Sequence, residues 1–284
     1  MIWLLRSVAG SVESMVGEIK WTLSLITMMQ AERPPEMFMR SYLVGKRTTR
    51  VVIYYHGVTD GYKANFEKQM AYLSEHCEVV SPLEILNRSA TNNRPVVAFV
   101  FDDAFASFER NALPVLQRYN VPAAVAVPVA YLGHKSNWEI KDNSVLDEFV
   151  MDEKSIVGLD RLGFEIFSHT LTHQALIGLN DSQLDKELFG SKQELERIIG
   201  HEVSGISYPY GACNEKVCKA AAKAGYRFGF SIDPLTVDRS VDSLRIGRFM
   251  MLPNDGIFKL KLIINGPYVV VRVLRRIQRV FSHS

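Results

Sequence analysis

Pro95-Val96-Val97-Ala98-Phe99-Val100-Phe101 is a nearly unbroken apolar run, and it stops abruptly at Asp102-Asp103. A strand with one wet face alternates apolar and polar residues. A run that is apolar throughout predicts a strand buried on both faces, as in a parallel sheet covered by helices. Two adjacent carboxylates at the end of such a strand are costly unless something neutralises them. A divalent cation would neutralise one and leave the other free to move protons. A helix N-cap with a second acid beside the helix dipole is the plainer alternative.

The pattern on either side supports the strand. Val51-Val52-Ile53-Tyr54-Tyr55 is a β-rich run followed by His56-Gly57. Residues 65–75 read as a helix with Phe66, Met70 and Leu73 on one face. Residues 79–80 read as a short strand, and 82–86 as the start of a short helix. Beyond Asp103, helical residues run to Tyr119, and strands are expected at 123–127 and at 164–167, the latter ending at Ser168-His169. Residues 182–199 form a helix with Leu184, Leu188, Leu195 and Ile199 facing inward. A strand over 203–207 ends at Pro209-Tyr210-Gly211, a helix spans 214–224, and Phe228-Gly229-Phe230 opens another strand. Strands alternating with helices predict an α/β fold with a parallel sheet or barrel. In a parallel barrel, residues that directly follow strands gather on the C-terminal face. His56, Asp102, Asp103, His169 and Tyr210 all hold that position.

Composition narrows the class. The 284 residues are 47% hydrophobic and 23% charged, which suits about two domains or one barrel of ~250 residues. It excludes a disordered chain, a collagen, a coiled coil and a disulfide-stapled mini-domain. Cys77, Cys213 and Cys218 are odd in number and match no common zinc spacing, so no disulfide framework is expected and a reducing compartment is favoured. No run of 18 apolar residues exists, so no spanning helix is expected. Residues 21–29 are too short and interrupted, and too poorly flanked, for a cleaved signal.

The two ends differ from the middle. Leu4, Val8, Val12, Met15, Ile19, Leu23 and Ile26 form an apolar helical stripe that Arg33-Pro34-Pro35 breaks. Residues 259–284 carry six Lys and Arg and no acid, so against a net charge of +2 the remaining residues sum to −4. A mildly acidic body argues against nucleic acid as a partner. Over 270–281, Arg272, Arg275, Arg276 and Arg279 lie opposite Val270, Val273, Leu274, Ile277 and Phe281. That basic amphipathic helix suits an anionic membrane surface, or docks on the barrel by its apolar side. The expected organisation is an N-terminal helical arm over 1–45, a barrel domain over 46–258 and a basic amphipathic tail over 259–284, with residues 268–284 as the membrane contact.

Two more motifs bear on chemistry. His169-Thr170-Leu171-Thr172-His173 has a His-x3-His spacing, which on a helical turn would put both imidazoles on one face, ready to share a metal. With Asp103 they form a set that suits zinc or another first-row metal and leaves coordination positions for water and substrate. In Ser207-Tyr208-Pro209-Tyr210-Gly211, Pro and Gly fix a turn that could aim a backbone N–H at a developing oxyanion.

In this order, Val100-Phe101-Asp102-Asp103-Ala104, His169-Thr170-Leu171-Thr172-His173 and Ser207-Tyr208-Pro209-Tyr210-Gly211 resemble the three leading motifs of the NodB-homology polysaccharide deacetylases, carbohydrate esterase family 4. The likeness covers roughly residues 50–250 and includes Tyr54-Tyr55-His56-Gly57-Val58 and Ala224-Gly225-Tyr226. It implies a distorted (β/α)7 barrel. It implies Asp103, His169 and His173 as ligands to one divalent metal, zinc first, with cobalt, nickel, manganese or iron as substitutes. Asp102 becomes the general base and the Tyr210 N–H an oxyanion donor. The implied reaction removes an N-acetyl group from an amino sugar of a bacterial surface polysaccharide, or of its lipid-linked or nucleotide precursor. The metal polarises the amide and binds the attacking water. A cytoplasmic enzyme peripheral to the inner membrane fits the basic tail.

The likeness has gaps. Ala104 stands for the usual Gly, and Ser207 where the family often has an Arg that orients the base; Arg245 or Arg248 is the candidate stand-in. No Asp-x-x-Asp-Trp motif follows Tyr210, and no Leu-x-His supplies the usual acid, so His56 is the candidate acid. Tyr208, Pro209, Trp138, Arg245 and Arg248 are candidate substrate contacts, Trp138 by stacking on a sugar ring. The competing reading is a catalytically degenerate carbohydrate-binding or scaffold protein that retains the barrel.

Overall fold

A computed structural model describes residues 49–88, 94–136, 138, 148–237 and 241–265. The chain divides into two units, and every described residue falls in the one spanning 48–269. The N-terminal arm over 1–45 and the membrane contact over 268–284 lie outside the described residues. The elements are β1 (Arg50–Tyr55), α1 (Lys63–His76), β2 (Glu78–Val79), β3 (Val96–Phe101), a π-helical turn (Phe108–Ala112) leading into α2 (Leu113–Arg118), and β4 (Ala124–Val127). They continue with α3 (Glu153–Arg161), β5 (Glu165–Ser168), α4 (Asp181–Ile199), β6 (Gly205–Ser207), α5 (Glu215–Lys223), β7 (Phe228–Phe230), β8 (Phe249–Met250) and α6 (Ile257–Ile264).

Every strand pairing is parallel, in the order β7-β6-β5-β4-β3-β1-β8. β2 pairs with the start of β3 at Val96 and Val97, while β4 pairs with its end at Val100 and Phe101. The two ends of the curled sheet approach each other. Ile246 bridges to Phe230 on β7, and a few residues later Phe249 and Met250 pair with β1. The result is the distorted (β/α) barrel expected from the sequence.

The apolar runs are double-faced for a reason visible in the packing. Val51, Ile53 and Tyr55 of β1, with Val97, Phe99 and Phe101 of β3, join the large core beneath the helices. Val52 and Tyr54, with Val96, Ala98 and Val100, join a smaller core that includes Ala124, Ala126, Phe167, Phe230 and Ile246. Three alanines in that inner core keep it narrow. Leu184, Leu188 and Leu195 of α4 are buried as expected, whereas Ile199 is half-buried. The helix begins in an Asn180–Gln183 capping box and ends at Gly200 in the left-handed region.

Several local expectations are corrected. Residues 82–87 form turns, not a helix. α3, β8 and α6 were not anticipated: α3 buries only Ile156 and Leu159, and β8 is two residues long. α6 runs across position 258, where the barrel was expected to end, and Leu260 and Ile263 sit in the main core. All three cysteines are buried and unpaired. Among the described residues, no helix is long and apolar enough to cross a membrane.

At the opposite end of the sheet from the polar clusters, Glu165 opens β5 and accepts a hydrogen bond from the Ser81 hydroxyl. Burial pushes its carboxyl up to about 7, against the lowering effect of Ser81 and the Leu83 N–H. The folded state therefore keeps a proton that the unfolded chain releases near pH 4.5, so this group's contribution to stability falls between pH 4.5 and 7. Glu165→Gln, neutral throughout, is expected to match the wild type at pH 4 and to exceed it by about 1–3 kcal/mol at pH 8. Urea denaturation at the two pH values reads the difference; equal stability at pH 8 would contradict it.

Candidate active site

The ends of four strands bring the expected residues together. Asp102 and Asp103 follow β3, His169 follows β5, and His173 lies four residues on. His169 Nε2 is 3.4 Å and His173 Nε2 is 3.2 Å from Asp103 Oδ1. All three residues are buried, and one ligand atom from each lies within 4.8 Å of the others. Ligand atoms about 2.1 Å from a tetrahedral ion sit roughly 3.4 Å apart, so the spacing suits a shared cation. Asp103 Oδ1 is buried and has no well-directed hydrogen bond. An anionic oxygen facing two imidazole nitrogens in that state fits a metal-ligand set.

The tautomer of His169 is fixed by its surroundings. Its Nδ1 lies 2.7 Å from the Ser207 carbonyl at the end of β6. A carbonyl only accepts, so Nδ1 carries the proton and Nε2 presents its lone pair toward Asp103. The His173 ring is stacked on Trp138 at 4.2 Å and meets Tyr210 edge-on at 5.2 Å. The two histidines do not sit on a helical turn as expected: residues 169–178 form a loop, with Thr170 at φ +65 and His173 at φ +58. Left-handed backbone brings the rings together where helical spacing was anticipated.

That feature extends over the whole site. Six described residues other than glycine have positive φ, and five of them are Asp103, Ala104, Thr170, His173 and Tyr210. Each costs on the order of 1–2 kcal/mol relative to an ordinary conformation. Such corners persist only where neighbouring contacts over-determine them.

Asp102 is the second carboxylate, and its partner is Arg248. Arg248 Nη1 donates to Asp102 Oδ1 at 2.9 Å and Nη2 to Oδ2 at 3.0 Å. Its Nε donates to the Ser231 carbonyl at 2.9 Å, and its guanidinium lies 4.5 Å from the centre of the Tyr54 ring. Burial alone would raise the Asp102 pKa. Arg248, followed by His169 and His56, more than reverses this and holds the carboxyl below the usual range. Burial likewise opposes ionisation of Asp103, and the two imidazoles beside it drive its pKa far down. For His169, burial lowers the pKa but the two aspartates outweigh it and the net shift is upward; for His173, burial wins and the shift is downward.

His56, directly after β1, places Nε2 3.9 Å from Asp103 Oδ2 and remains partly exposed. Two side chains from the neighbouring π-helical region clamp its loop. Val58 N donates to Ser107 Oγ at 3.1 Å, and Asn111 Nδ2 donates to the Val58 carbonyl at 2.9 Å. π-Helical turns of this kind are frequent at functional sites.

The candidate substrate contacts divide. Trp138 and Tyr210 border the metal-ligand group, and Tyr210 is 46% exposed. Tyr208 and Pro209 are buried, and the Tyr208 hydroxyl donates to the Leu244 carbonyl, so these residues shape the turn and do not face a substrate. Arg248 is fully buried, which removes it as a substrate contact and makes it the partner of Asp102. Arg245 lies 3.5 Å from Asp233 at the exposed surface and takes no part in holding Asp102. Glu187 in α4, which the motifs do not include, accepts hydrogen bonds from the Leu171 and Thr172 backbone N–H groups beside the histidines.

Fold and site together define a parallel barrel whose C-terminal face holds a buried Asp-His-His set beside a second, ionised carboxylate. The profile of the polysaccharide deacetylase family matches residues 89–229. The chain belongs to the polysaccharide deacetylase family, a family of hydrolases. It is 26% identical over 211 residues to the Bacillus subtilis protein YxkH, covering 71% of each chain. It is 25% identical over 210 residues to a poly-β-1,6-N-acetyl-D-glucosamine N-deacetylase of Staphylococcus epidermidis, covering 71% of this chain and 70% of that one. Among solved structures, IcaB from Ammonifex degensii superposes with a TM-score of 0.66 at 20% identity, over 78% of this chain and 98% of the other, which supports the same fold.

Proposed function

We propose that this protein hydrolyses the N-acetyl amide of an amino sugar in a polysaccharide or its lipid-linked or nucleotide precursor, with one divalent cation, zinc first, held by Asp103, His169 and His173. The observation that carries the proposal is the buried Asp103–His169–His173 set with Asp102 beside it, each carboxylate held ionised by its own cationic or imidazole partners. A cation bound there supplies Lewis-acid polarisation of the acetyl carbonyl and a lowered pKa for water.

The remaining steps belong to the chain's own groups. Asp102, fixed at both oxygens by Arg248, accepts the proton of the attacking water. The Tyr210 backbone N–H, on the Pro209–Gly211 turn after β6, donates to the developing oxyanion. His56 then donates a proton to the amine nitrogen as the C–N bond breaks, leaving acetate and a free amino sugar. The exposed Tyr210 ring and Trp138 flank the site, where a sugar ring can lie against them.

The scaffold reading draws support from two gaps, the family's Arg at Ser207 and its C-terminal acid motif. Arg248, just before β8, bonds both oxygens of Asp102, which supports the enzyme reading instead. The name of the S. epidermidis relative puts a β-1,6-linked N-acetylglucosamine polymer at the head of a substrate panel. Acetate release from that polymer or from a lipid-linked or nucleotide N-acetyl sugar, with none from an O-acetyl control, is the expected pattern. A stoichiometric metal with no acetate release from any member of the panel would sink the proposal. In the same assay His56→Ala is expected to lower turnover by about 10²- to 10³-fold, with metal content unchanged; equal turnover would remove His56 from the reaction.

A further inference from the structure

The loop that carries both histidines is held by a carboxylate from outside it. Glu187 lies in the second turn of α4 and is 2% exposed. Its Oε2 accepts from Leu171 N at 3.1 Å and from Thr172 N at 2.9 Å. Its Oε1 accepts from the Thr172 hydroxyl at 2.6 Å and from Gln174 Nε2 at 2.8 Å. All four donors fall within residues 171–174, the stretch between and just beyond the two imidazoles.

The donors have few alternatives. Thr170 and His173 are both left-handed, so the loop forms no internal ladder that would occupy the Leu171 and Thr172 N–H groups. No ion pair to Glu187 is found among the described residues. Its charge is met by the four dipoles, an arrangement suited to holding a geometry. One turn further along α4, Ser191 Oγ accepts from Ser168 Oγ, which itself accepts from Thr170 N. The same helix face therefore grips the loop at both ends of its first half.

We infer that Glu187 is a positioning residue: it sets the distance between His169 Nε2 and His173 Nε2, and with it the affinity and geometry of the cation site. This inference rests on the metal reading proposed above. Gln at 187 has nearly the same shape but only one acceptor oxygen; with that oxygen on the Leu171 and Thr172 N–H groups, its NH2 faces the Thr172 hydroxyl and Gln174 Nε2, and the two bonds they donate to the carboxylate are lost. Thr172→Val removes the hydroxyl, with the bond it donates to Glu187 and the one it accepts from Gln174 Nε2, and leaves the backbone contacts.

The test uses the full chain, stripped of metal by chelation and titrated with Zn²⁺ against a chromophoric competitor, then with Co²⁺ followed by visible absorption. Glu187→Gln is expected to weaken Zn²⁺ binding about 10- to 100-fold and to shift the Co²⁺ bands, while the metal-free far-ultraviolet spectrum stays that of the wild type. Thr172→Val is expected to weaken binding several-fold. A Co²⁺ spectrum and a Zn²⁺ affinity unchanged in Glu187→Gln would overturn the inference and leave the metal reading intact. If Glu187→Gln does not fold, Thr172→Val decides alone, and unchanged affinity there overturns it. A wild type that binds neither ion overturns the metal reading, and this inference with it.

Discussion

Arg248→Met is expected to remove most activity and a large share of the folding free energy. The guanidinium is fully buried and is bonded to both oxygens of Asp102, with distances of 2.9 and 3.0 Å. Methionine fills much of the same space but leaves Asp102 buried without its main cation. Breaking a buried pair in this way typically costs about 3–5 kcal/mol, because the remaining charge is uncompensated. The carboxyl has one escape, which is to hold a proton, and a protonated Asp102 accepts none from water. Turnover near neutrality should therefore fall by at least about 10²-fold, the lower end of what a general base contributes. Arg248→Lys should fall between the two, since an ammonium cannot span both oxygens and also donate to Ser231. Urea unfolding and acetate release, measured on both variants, check the pair of effects. A fully active, fully stable Arg248→Met would mean that Asp102 needs no cation and does not act as the base.

The second large effect is expected of His169→Ala. The wild type should carry one divalent ion per chain by elemental analysis, and the variant none, with acetate release at background. Two structural links are lost together. Asp103 Oδ1 loses the imidazole nitrogen 3.4 Å away, and the Ser207 carbonyl loses its Nδ1–H donor. The remaining pair, Asp103 and His173, is one ligand short of what a catalytic zinc site uses. Retention of a stoichiometric ion by the variant would place the cation elsewhere.

Much of this is legible in the sequence. The apolar run over 95–101 corresponds to β3, and the carboxylates that end it lie among the barrel's polar groups because strand ends converge by topology. The His-x3-His spacing picks out two imidazoles that do meet at one aspartate, but left-handed corners and not a helical turn bring them together. The sequence offers Arg245 and Arg248 alike as stand-ins for the family's Arg and as substrate contacts, because the burial that separates them depends on a fold-level packing that no local pattern encodes. α3 was missed because two buried residues in nine make a weak stripe. Glu187 was missed because Asp185-Lys186-Glu187 reads as an ordinary solvated run. A signal existed: positions 184, 187, 188, 191 and 195 fall on one side of α4, and all five are buried. A charge on the apolar stripe of a helix is the pattern to look for.

The concentration of left-handed residues around Asp103, Thr170, His173 and Tyr210 bears on how the molecule fails under stress. Those segments sit uphill, and release of any one of them relaxes it locally, whereas the barrel strands gain nothing by parting. Gentle heating or dilute denaturant should thus disarm the enzyme while its circular dichroism still reports an intact barrel, the reactive end giving way first and the frame last.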